Sequence, residues 1–222
     1  MPPSEFSVPV GPILQLLSYV GTFVFAASGA LAAARAQQTL VTFAFFALIT
    51  GVGGGTVRDL LIDAPVFWIH DAWMAIICIS AAFVVYLTPE RWWPARALDW
   101  MDAVGLAAFA VFGTAKAMSF GVHPFVAALM GVITGCVGGI IRDLLAGEPS
   151  ILLRPEIYVT AAALAAGLYA LFLSLGLPSA PASALAATAG FALRAIAIAR
   201  GLALPSYGAP AEPPGQAGGP SA

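Results

Sequence analysis

Seven long apolar stretches follow one another along the chain, and short polar breaks separate them. Each stretch approaches the roughly 20 apolar residues that an α-helix needs to span a bilayer. The predicted spans cover residues 12–34, 39–63, 67–88, 97–119, 123–146, 155–176 and 180–200. Before them lies a short N-terminal segment (1–11), and the Pro/Gly/Ala-rich composition after them predicts a disordered tail (201–222). The pattern therefore predicts an all-α membrane protein with seven transmembrane helices.

The composition supports this fold class and argues against several functions. The chain is 60% hydrophobic and only 9% charged, whereas soluble domains carry roughly 25% charged residues. It has no basic stripe that would indicate a nucleic-acid partner. Cys78 and Cys136 lie in apolar stretches, and His70 and His123 have no second ligand at metal spacing. We therefore expect neither an enzyme nor a cofactor, and no metal beyond a permeating monovalent cation.

The charges between the spans predict the orientation of the chain. With seven spans, one side of the membrane receives six arginines: Arg35, Arg91, Arg96, Arg154, Arg194 and Arg200. The other side receives Glu5, Asp63 and Asp71. Because arginine and lysine accumulate on the cytoplasmic side, we expect the N-terminus outside and the C-terminus in the cytoplasm.

One sequence motif occurs twice, 84 residues apart. Residues 49–61 read ITGVGGGTVRDLL and residues 133–145 read ITGCVGGIIRDLL, with nine of 13 positions identical. The offset extends over three spans without a gap, so spans 1–3 (12–88) and 4–6 (97–176) form two repeats. An odd number of spans per repeat turns the second copy upside down in the membrane, which is typical of transport folds. The seventh span has no counterpart.

Glycines cluster in the middle of the second and fifth spans. Gly53, Gly54 and Gly55 lie in one, and Gly138 and Gly139 in the other. Since each interior glycine costs a helix about 1 kcal/mol relative to alanine, we expect helices 2 and 5 to kink by bending or unwinding. Freed carbonyl oxygens could then bind a partly dehydrated cation. The alternative is that the glycines only allow helices to pack closely.

Charged residues follow both glycine clusters at membrane depth. Arg58 precedes Asp59, and Arg142 precedes Asp143. Neighbours on a helix point about 100° apart, so each charge is expected to find a partner elsewhere. A symmetric choice pairs each arginine with the aspartate of the other repeat, and the alternative is that Asp102 in the fourth span binds one arginine. The charges could either clamp the helices or take part in permeation.

Lys116, late in the fourth span, is the only lysine of the chain. Its side chain could extend to the outer surface of the membrane. Alternatively, it could be a mobile charge beside the glycine kink that gates a conduction path. The membrane potential acts on one fully transferred charge with about 2.3 kcal/mol per 100 mV.

The doubled motif, GGGTVRDLL and GGIIRDLL, resembles that of the trimeric intracellular cation (TRIC) channel family, and of its prokaryotic members in particular. The likeness covers residues 12–200. It implies a homotrimer in the prokaryotic cell membrane, with a K⁺- and Na⁺-permeable pore in each protomer. The pore would be lined by kinked helices 2 and 5 at Gly53, Gly54, Gly55, Gly138 and Gly139, with Lys116 as the gating residue. The lipid-headgroup cluster of animal members is not evident, so the resemblance does not predict phosphoinositide regulation.

The two copies of the motif differ at one glycine position, and the motif is compatible with two other functions. Val137 stands where the first repeat has Gly53, so the two kinks need not be equally open.

Related bacterial sequences are also described as glycine-transporter-like, which makes a secondary transporter of a small solute the main alternative to a channel. A membrane scaffold whose glycines serve packing alone is the third.

Overall fold

The computed structural model describes residues 11–205, and over this range the chain forms seven α-helices. They are α1 (Pro12–Arg35), α2 (Leu40–Leu61), α3 (Ala72–Leu87), α4 (Ala97–Ser119), α5 (Pro124–Ala146), α6 (Val159–Ser174) and α7 (Ser179–Arg200). Short 3₁₀ turns at Glu90–Trp92 and Ile151–Leu153 lie in the connections. The predictions for the N-terminal segment at residues 1–10 and for the tail at 206–222 lie outside the described residues.

Five of the helices are long and apolar enough to span a membrane, and two are shorter. The long helices are α1, α2, α4, α5 and α7, whereas α3 and α6 have 16 residues each. At 1.5 Å per residue, 16 residues extend about 24 Å, which is less than the hydrocarbon core of about 30 Å. The spans predicted to begin at residues 67 and 155 therefore begin later, because the segments before α3 and α6 fold as turns over the preceding helix.

Polar residues and proline define where several helices begin. The Thr39 hydroxyl accepts a hydrogen bond from the Thr42 amide at 3.5 Å, and the Asp71 carboxylate accepts one from the Trp73 amide at 3.0 Å. His123 accepts one from the Phe125 amide through its ring nitrogen at 3.3 Å, directly before Pro124 in the first turn of α5. These bonds satisfy amide groups that the first turn of a helix leaves without partners.

The helices pack as two similar groups of three. Helix α1 packs against α2 and α3, and α4 packs in the same way against α5 and α6. Contacts between α1 and α4, and between α2 and α5, join the two groups. Helix α7 packs mainly against α4 and α6 of the second group, with a smaller contact to α1 of the first.

The contact between α1 and α4 is reciprocal. A Cβ atom added to Gly21 would lie 2.7 Å from the ring of Phe109, and one added to Gly105 would lie 3.0 Å from the ring of Phe25. Both residue pairs are related by the offset of 84, and the two rings lie 5.4 Å apart between centroids. Reciprocal contacts of this kind are what a two-fold axis between two units produces.

Two turns show that the repeats share backbone conformation as well as sequence. Gln37 (φ 53°) and Asp63 (φ 50°) adopt the left-handed conformation, and the residues 84 positions later are Gly121 (φ 79°) and Gly147 (φ 71°). Glycine adopts this conformation without steric cost, whereas other residues do so at a cost. The first repeat therefore keeps the shape of these turns with residues that fit them less well.

The first residues of the predicted disordered tail are held against the connection before α6. Gly201 ends α7 in the left-handed conformation. Ala203 forms a β-bridge with Glu156, and the Leu204 amide donates to the Pro155 carbonyl at 2.7 Å. The chain therefore stays attached to the protein for a few residues beyond its last helix.

Candidate functional site

The glycine motifs meet where α2 crosses α5. A Cβ atom added to Gly54 would lie 2.1 Å from the carbonyl oxygen of Thr134, and one added to Gly138 would lie 2.6 Å from that of Thr50. Real Cβ atoms do not approach other atoms so closely, so the two backbones touch at a point that only glycine permits. Both pairs follow the offset of 84, and the contact is reciprocal like that between α1 and α4.

The other glycines of the motif face different neighbours. A Cβ atom on Gly53 would lie 3.0 Å from the end of the Ile141 side chain, and one on Gly55 would lie 2.4 Å from the ring of Phe67. One on Gly139 would lie 2.8 Å from the hydroxyl of Tyr158 and 3.3 Å from Asp102. Close packing is therefore one function of these glycines.

Both helices remain α-helical through their glycines. Helix α2 is continuous from Leu40 to Leu61 and α5 from Pro124 to Ala146. The glycines were expected to bend or unwind these helices. Unwinding is wrong for this conformation, because packing on both sides keeps α2 and α5 helical. Bending at the glycines stays a prediction, and the carbonyl oxygens are not released by an unwound turn.

Beyond the glycines of α2, Asp59 binds two cationic side chains, Arg58 of its own helix and Lys116 of α4; we call this group the Asp59 cluster. Its Oδ1 lies 2.8 Å from Arg58 Nη2 and 2.8 Å from Lys116 Nζ. Its Oδ2 accepts a hydrogen bond at 2.9 Å from the amide of Phe67, in the turn before α3. The carboxylate therefore ties together α2, α4 and the connection to α3.

The equivalent place in the second repeat is built around Arg142; we call this the Arg142 cluster. Arg142 Nη2 lies 2.7 Å from Asp143 Oδ1, and Nη1 lies 2.6 Å from Asp102 Oδ1 and 3.2 Å from the hydroxyl of Ser28. Asp143 Oδ2 accepts a hydrogen bond at 2.8 Å from the amide of Ile151. Ile151 is 84 residues after Phe67, so the turns before α3 and α6 are held in the same way.

These contacts correct the expected pairing of the charges. Neighbouring Arg and Asp residues do bind each other, because the long arginine side chain folds back along its own helix and reaches the adjacent carboxylate. The cross-repeat pairs of Arg58 with Asp143 and of Arg142 with Asp59 are not present. The alternative partner Asp102 does bind an arginine, namely Arg142.

Lys116 lies inside the protein, not at its surface. Only 10% of its side chain is exposed. Besides Asp59, its ammonium group donates to the carbonyl oxygen of Pro65 at 3.3 Å. The extension to the membrane surface, one of the two expectations for this lysine, is therefore wrong for this conformation.

The two clusters differ at the positions that face their arginines. Asp102 and Ser28, which bind Arg142, correspond across the offset to Ser18 and Phe112. The Arg58 guanidinium accordingly lies over the ring of Phe112 at 5.2 Å, and its Nη1 has no hydrogen-bond partner among the described residues. The Asp59 cluster thus holds two cations and one carboxylate, whereas the Arg142 cluster holds one cation and two carboxylates.

Sequence reasoning missed the role of Arg194. The charge pattern predicts that it lies with the other arginines at the cytoplasmic side, but it lies within α7 and is 1% exposed. Its guanidinium lies 2.5 Å from Glu156 and stacks over the ring of Tyr158 at 5.4 Å. Ionisable residues at membrane depth face the protein interior and find partners, and that rule is the signal that could have placed it.

Comparison with known proteins identifies the family of this arrangement. The family model described as Glycine transporter matches the chain twice, at residues 15–90 and 99–174, so the two matches are again 84 residues apart. A UPF0126 membrane protein of Vibrio cholerae is 38% identical over 88% of this chain and 83% of its own length. The inner membrane protein YadS of Escherichia coli K12 is 38% identical over 88% of this chain and 96% of its own length.

The solved structures agree over nearly the same range. A TRIC trimeric intracellular cation channel orthologue from Rhodobacter sphaeroides is 38% identical, with a TM-score of 0.80 over 86% of this chain and 100% of that chain. The chain is a prokaryotic member of the TRIC channel family. A further prokaryotic TRIC channel is 29% identical with a TM-score of 0.78. The TRIC channel of C. elegans, at 18% identity and a TM-score of 0.58, shares the fold.

Proposed function

We propose that this protein is a monovalent cation channel, permeable to K⁺ and Na⁺, with a pore in each protomer of a homotrimer in the prokaryotic inner membrane. The support comes from the solved TRIC proteins, which are described as cation channels and cover almost the whole chain. The trimer rests on the R. sphaeroides orthologue, which is described as trimeric. YadS, described as an inner membrane protein, supports the location.

The proposed pore runs beside the crossing of α2 and α5. The glycines at 53–55 and 138–139 give this part of the protein small side chains, and the Asp59 and Arg142 clusters lie at its two ends. Buried charges are costly in a membrane and are kept where they serve ions or water. Asp102, Asp143 and Asp59 supply the carboxylates that would favour a cation over an anion.

The observation that carries the gating proposal is the buried ion pair between Lys116 and Asp59. It joins α4 to α2 at 2.8 Å beside the glycine crossing. Because Lys116 shares Asp59 with Arg58, the Asp59 cluster holds two positive charges and one negative charge, and this excess is an electrostatic barrier to a cation. A membrane potential that draws Lys116 away from Asp59 would open the path.

Recording of single channels tests the proposed function. The purified full-length chain is placed in a planar bilayer under a K⁺ gradient. Unitary currents that reverse near the K⁺ equilibrium potential, and that remain when Na⁺ replaces K⁺, are the expected result. A reversal potential near the Cl⁻ equilibrium potential would overturn the proposal, as would the absence of unitary currents from protein whose trimeric state has been verified.

The name of the matching family model favours a glycine transporter as the second candidate. Transport of this kind would show as saturable uptake of labelled glycine into proteoliposomes without unitary currents. The same protein preparation serves both assays, so one set of measurements decides between the two functions.

A further inference from the structure

A cavity of about 690 Å³ opens at one end of the first repeat. It lies between the ends of α1 and α3, the beginning of α2 and the connection that leads to α4; we call it the Arg35 cavity. This is the opposite end of α4 from Lys116, so the cavity is separate from the Asp59 cluster. The arginine distribution predicts that this end faces the cytoplasm.

The lining of the Arg35 cavity is amphipathic. Arg35 and Arg91 contribute cationic groups, and the exposed ring of Tyr86 contributes an apolar wall backed by the buried side chains of Leu31, Phe43 and Val85. The described residues that line it include no carboxylate, and among the described residues neither arginine forms an ion pair. Two exposed cations beside an apolar wall fit a ligand that is anionic at one end and apolar at the other.

Contacts around the cavity fix its shape. Arg35 Nη2 donates to the carbonyl oxygen of Ala95 at 2.7 Å, which holds the end of α1 against the connection to α4. Trp93 donates from its ring nitrogen to Thr88 at 2.9 Å. The rings of Phe43 and Tyr86 meet edge to face, with 5.3 Å between centroids. The cavity is therefore formed before any ligand arrives, which lowers the cost of binding.

The second repeat provides an internal comparison, because it folds in the same way without these residues. Arg35, Gln37, Gln38, Phe43 and Tyr86 correspond to Ser119, Gly121, Val122, Ala127 and Ala170. The chemistry of the cavity therefore does not follow from the repeat fold. It belongs to the one copy that presents this end to the arginine-rich side.

We propose that the Arg35 cavity binds an anionic phospholipid, with the phosphate on Arg35 and Arg91 and an acyl chain along the exposed ring of Tyr86. A free phosphate would leave the apolar wall without a partner. Basic cavities between membrane helices on the cytoplasmic side are suited to anionic headgroups, and the negative surface of that leaflet attracts arginine. The site does not depend on the channel proposal, since nothing in it involves Lys116 or the glycine crossing.

Native mass spectrometry of the full-length chain in detergent tests the site. The protein is titrated with phosphatidylglycerol and, separately, with phosphatidylcholine of the same acyl chains. We expect the protein to bind phosphatidylglycerol more tightly than phosphatidylcholine. Its affinity for phosphatidylglycerol should fall about fivefold for each arginine removed, which is tested with Arg91→Gln and with the double variant Arg35→Gln/Arg91→Gln. Arg200→Gln removes an exposed arginine from the same predicted side outside the cavity and should bind like the unchanged protein.

Three results would overturn the proposal. They are equal affinity for the two lipids, equal loss in Arg200→Gln and Arg91→Gln, and binding of glycerol 3-phosphate as tightly as of phosphatidylglycerol. The last result would assign the cavity to a free phosphate compound. Arg91→Gln is informative even if the double variant unfolds, because the described residues show no hydrogen bond from Arg91 that holds the fold.

Discussion

At the residue scale, the recurring Arg-Asp pair connects each glycine-containing helix to the turn that follows it. In both repeats one oxygen of the aspartate binds the preceding arginine, and the other binds the amide eight residues later. A buried ion pair stabilises only when its remaining polar atoms also find partners. For the second carboxylate oxygen the turn amide is that partner, so Asp59 and Asp143 hold the segments before α3 and α6 in place.

Lys116→Ala should change how the channel opens. Removing the ammonium group takes away the excess positive charge of the Asp59 cluster and the link between α4 and α2. We expect a higher open probability at low voltage and a weaker dependence of opening on voltage, both measured from single-channel records. Lys116→Arg keeps the charge and should retain voltage dependence, and unchanged gating in Lys116→Ala would reject the gating proposal.

Asp63→Gly should stabilise the protein. Asp63 holds the left-handed conformation that Gly147 holds in the second repeat. Non-glycine residues in this conformation carry strain of about 1 kcal/mol or more. The strain is smaller for aspartate than for most residues, because aspartate tolerates the left-handed conformation. We expect a gain of about 0.5–1 kcal/mol in the free energy of unfolding, measured by thermal unfolding in detergent. Asp63→Ala keeps a Cβ atom, so a gain of the same size there would contradict the explanation.

At the element scale, α2 and α5 are held together by backbone contact at two glycines. The chain contains many other small residues, but only Gly54 and Gly138 lie against a carbonyl of the opposite repeat in this reciprocal way among the described glycines. The sequence predicted that the motif matters, and it offered packing and kinking as alternatives. It could not decide between them, because the neighbour of each glycine depends on how the helices cross.

Gly54→Ala should separate the two helices, while Gly53→Ala should not. A methyl group at 54 would meet the Thr134 carbonyl at 2.1 Å, whereas one at 53 meets the flexible end of Ile141 at 3.0 Å. Overpacking against backbone costs about 1–3 kcal/mol. Thermal unfolding in detergent should therefore show a loss in Gly54→Ala that exceeds any change in Gly53→Ala. Equal stability of the two variants would remove the crossing as an explanation of the motif.

Other features of the helices show which parts of the structure a sequence can predict. Seven helices and their order followed from the apolar stretches, because bilayer thickness sets the length of a span. The late start of α3 and α6 did not follow, since residues 66–69 and 151–153 are as apolar as a span, and the contacts that hold them as turns, from Asp59 to Phe67 and from Asp143 to Ile151, are tertiary. The burial of Arg194 was missed for the same reason: its partner Glu156 lies in another element.

At the scale of the whole molecule, the two repeats share the same helix packing but differ in the charge of their buried clusters. The Asp59 cluster carries excess positive charge and the Arg142 cluster excess negative charge, so the protein is polarised between the ends of the proposed pore. The difference comes from position 18, which is serine where the second repeat has Asp102, and from Lys116, whose counterpart is Ala32. Ser18 is buried and its hydroxyl has no partner among the described residues.

Ser18→Asp should make the first repeat resemble the second. By its equivalence to Asp102, a carboxylate at 18 would bind Arg58, as Asp102 binds Arg142 while Arg142 also binds Asp143. Arg58 would then divide its charge between two carboxylates and compete less with Lys116 for Asp59. Lys116 would be held more tightly, so opening should require a larger potential. A stabilisation of 1 kcal/mol corresponds to about 40 mV for one transferred charge. Ser18→Asn has a similar size without the charge, and an equal shift in that variant would assign the effect to packing.

The reciprocal contact of Gly54 and Gly138 has a mechanical consequence. Interlocked side chains resist rotation, because each must leave the space between its neighbours. Two bare backbones that touch on an axis of symmetry form a pivot instead, and one half of the molecule can tilt against the other without repacking at that point. The Asp59 and Arg142 clusters lie beyond this crossing, toward the C-terminal ends of α2 and α5. A small tilt would therefore displace them more than it displaces the crossing itself.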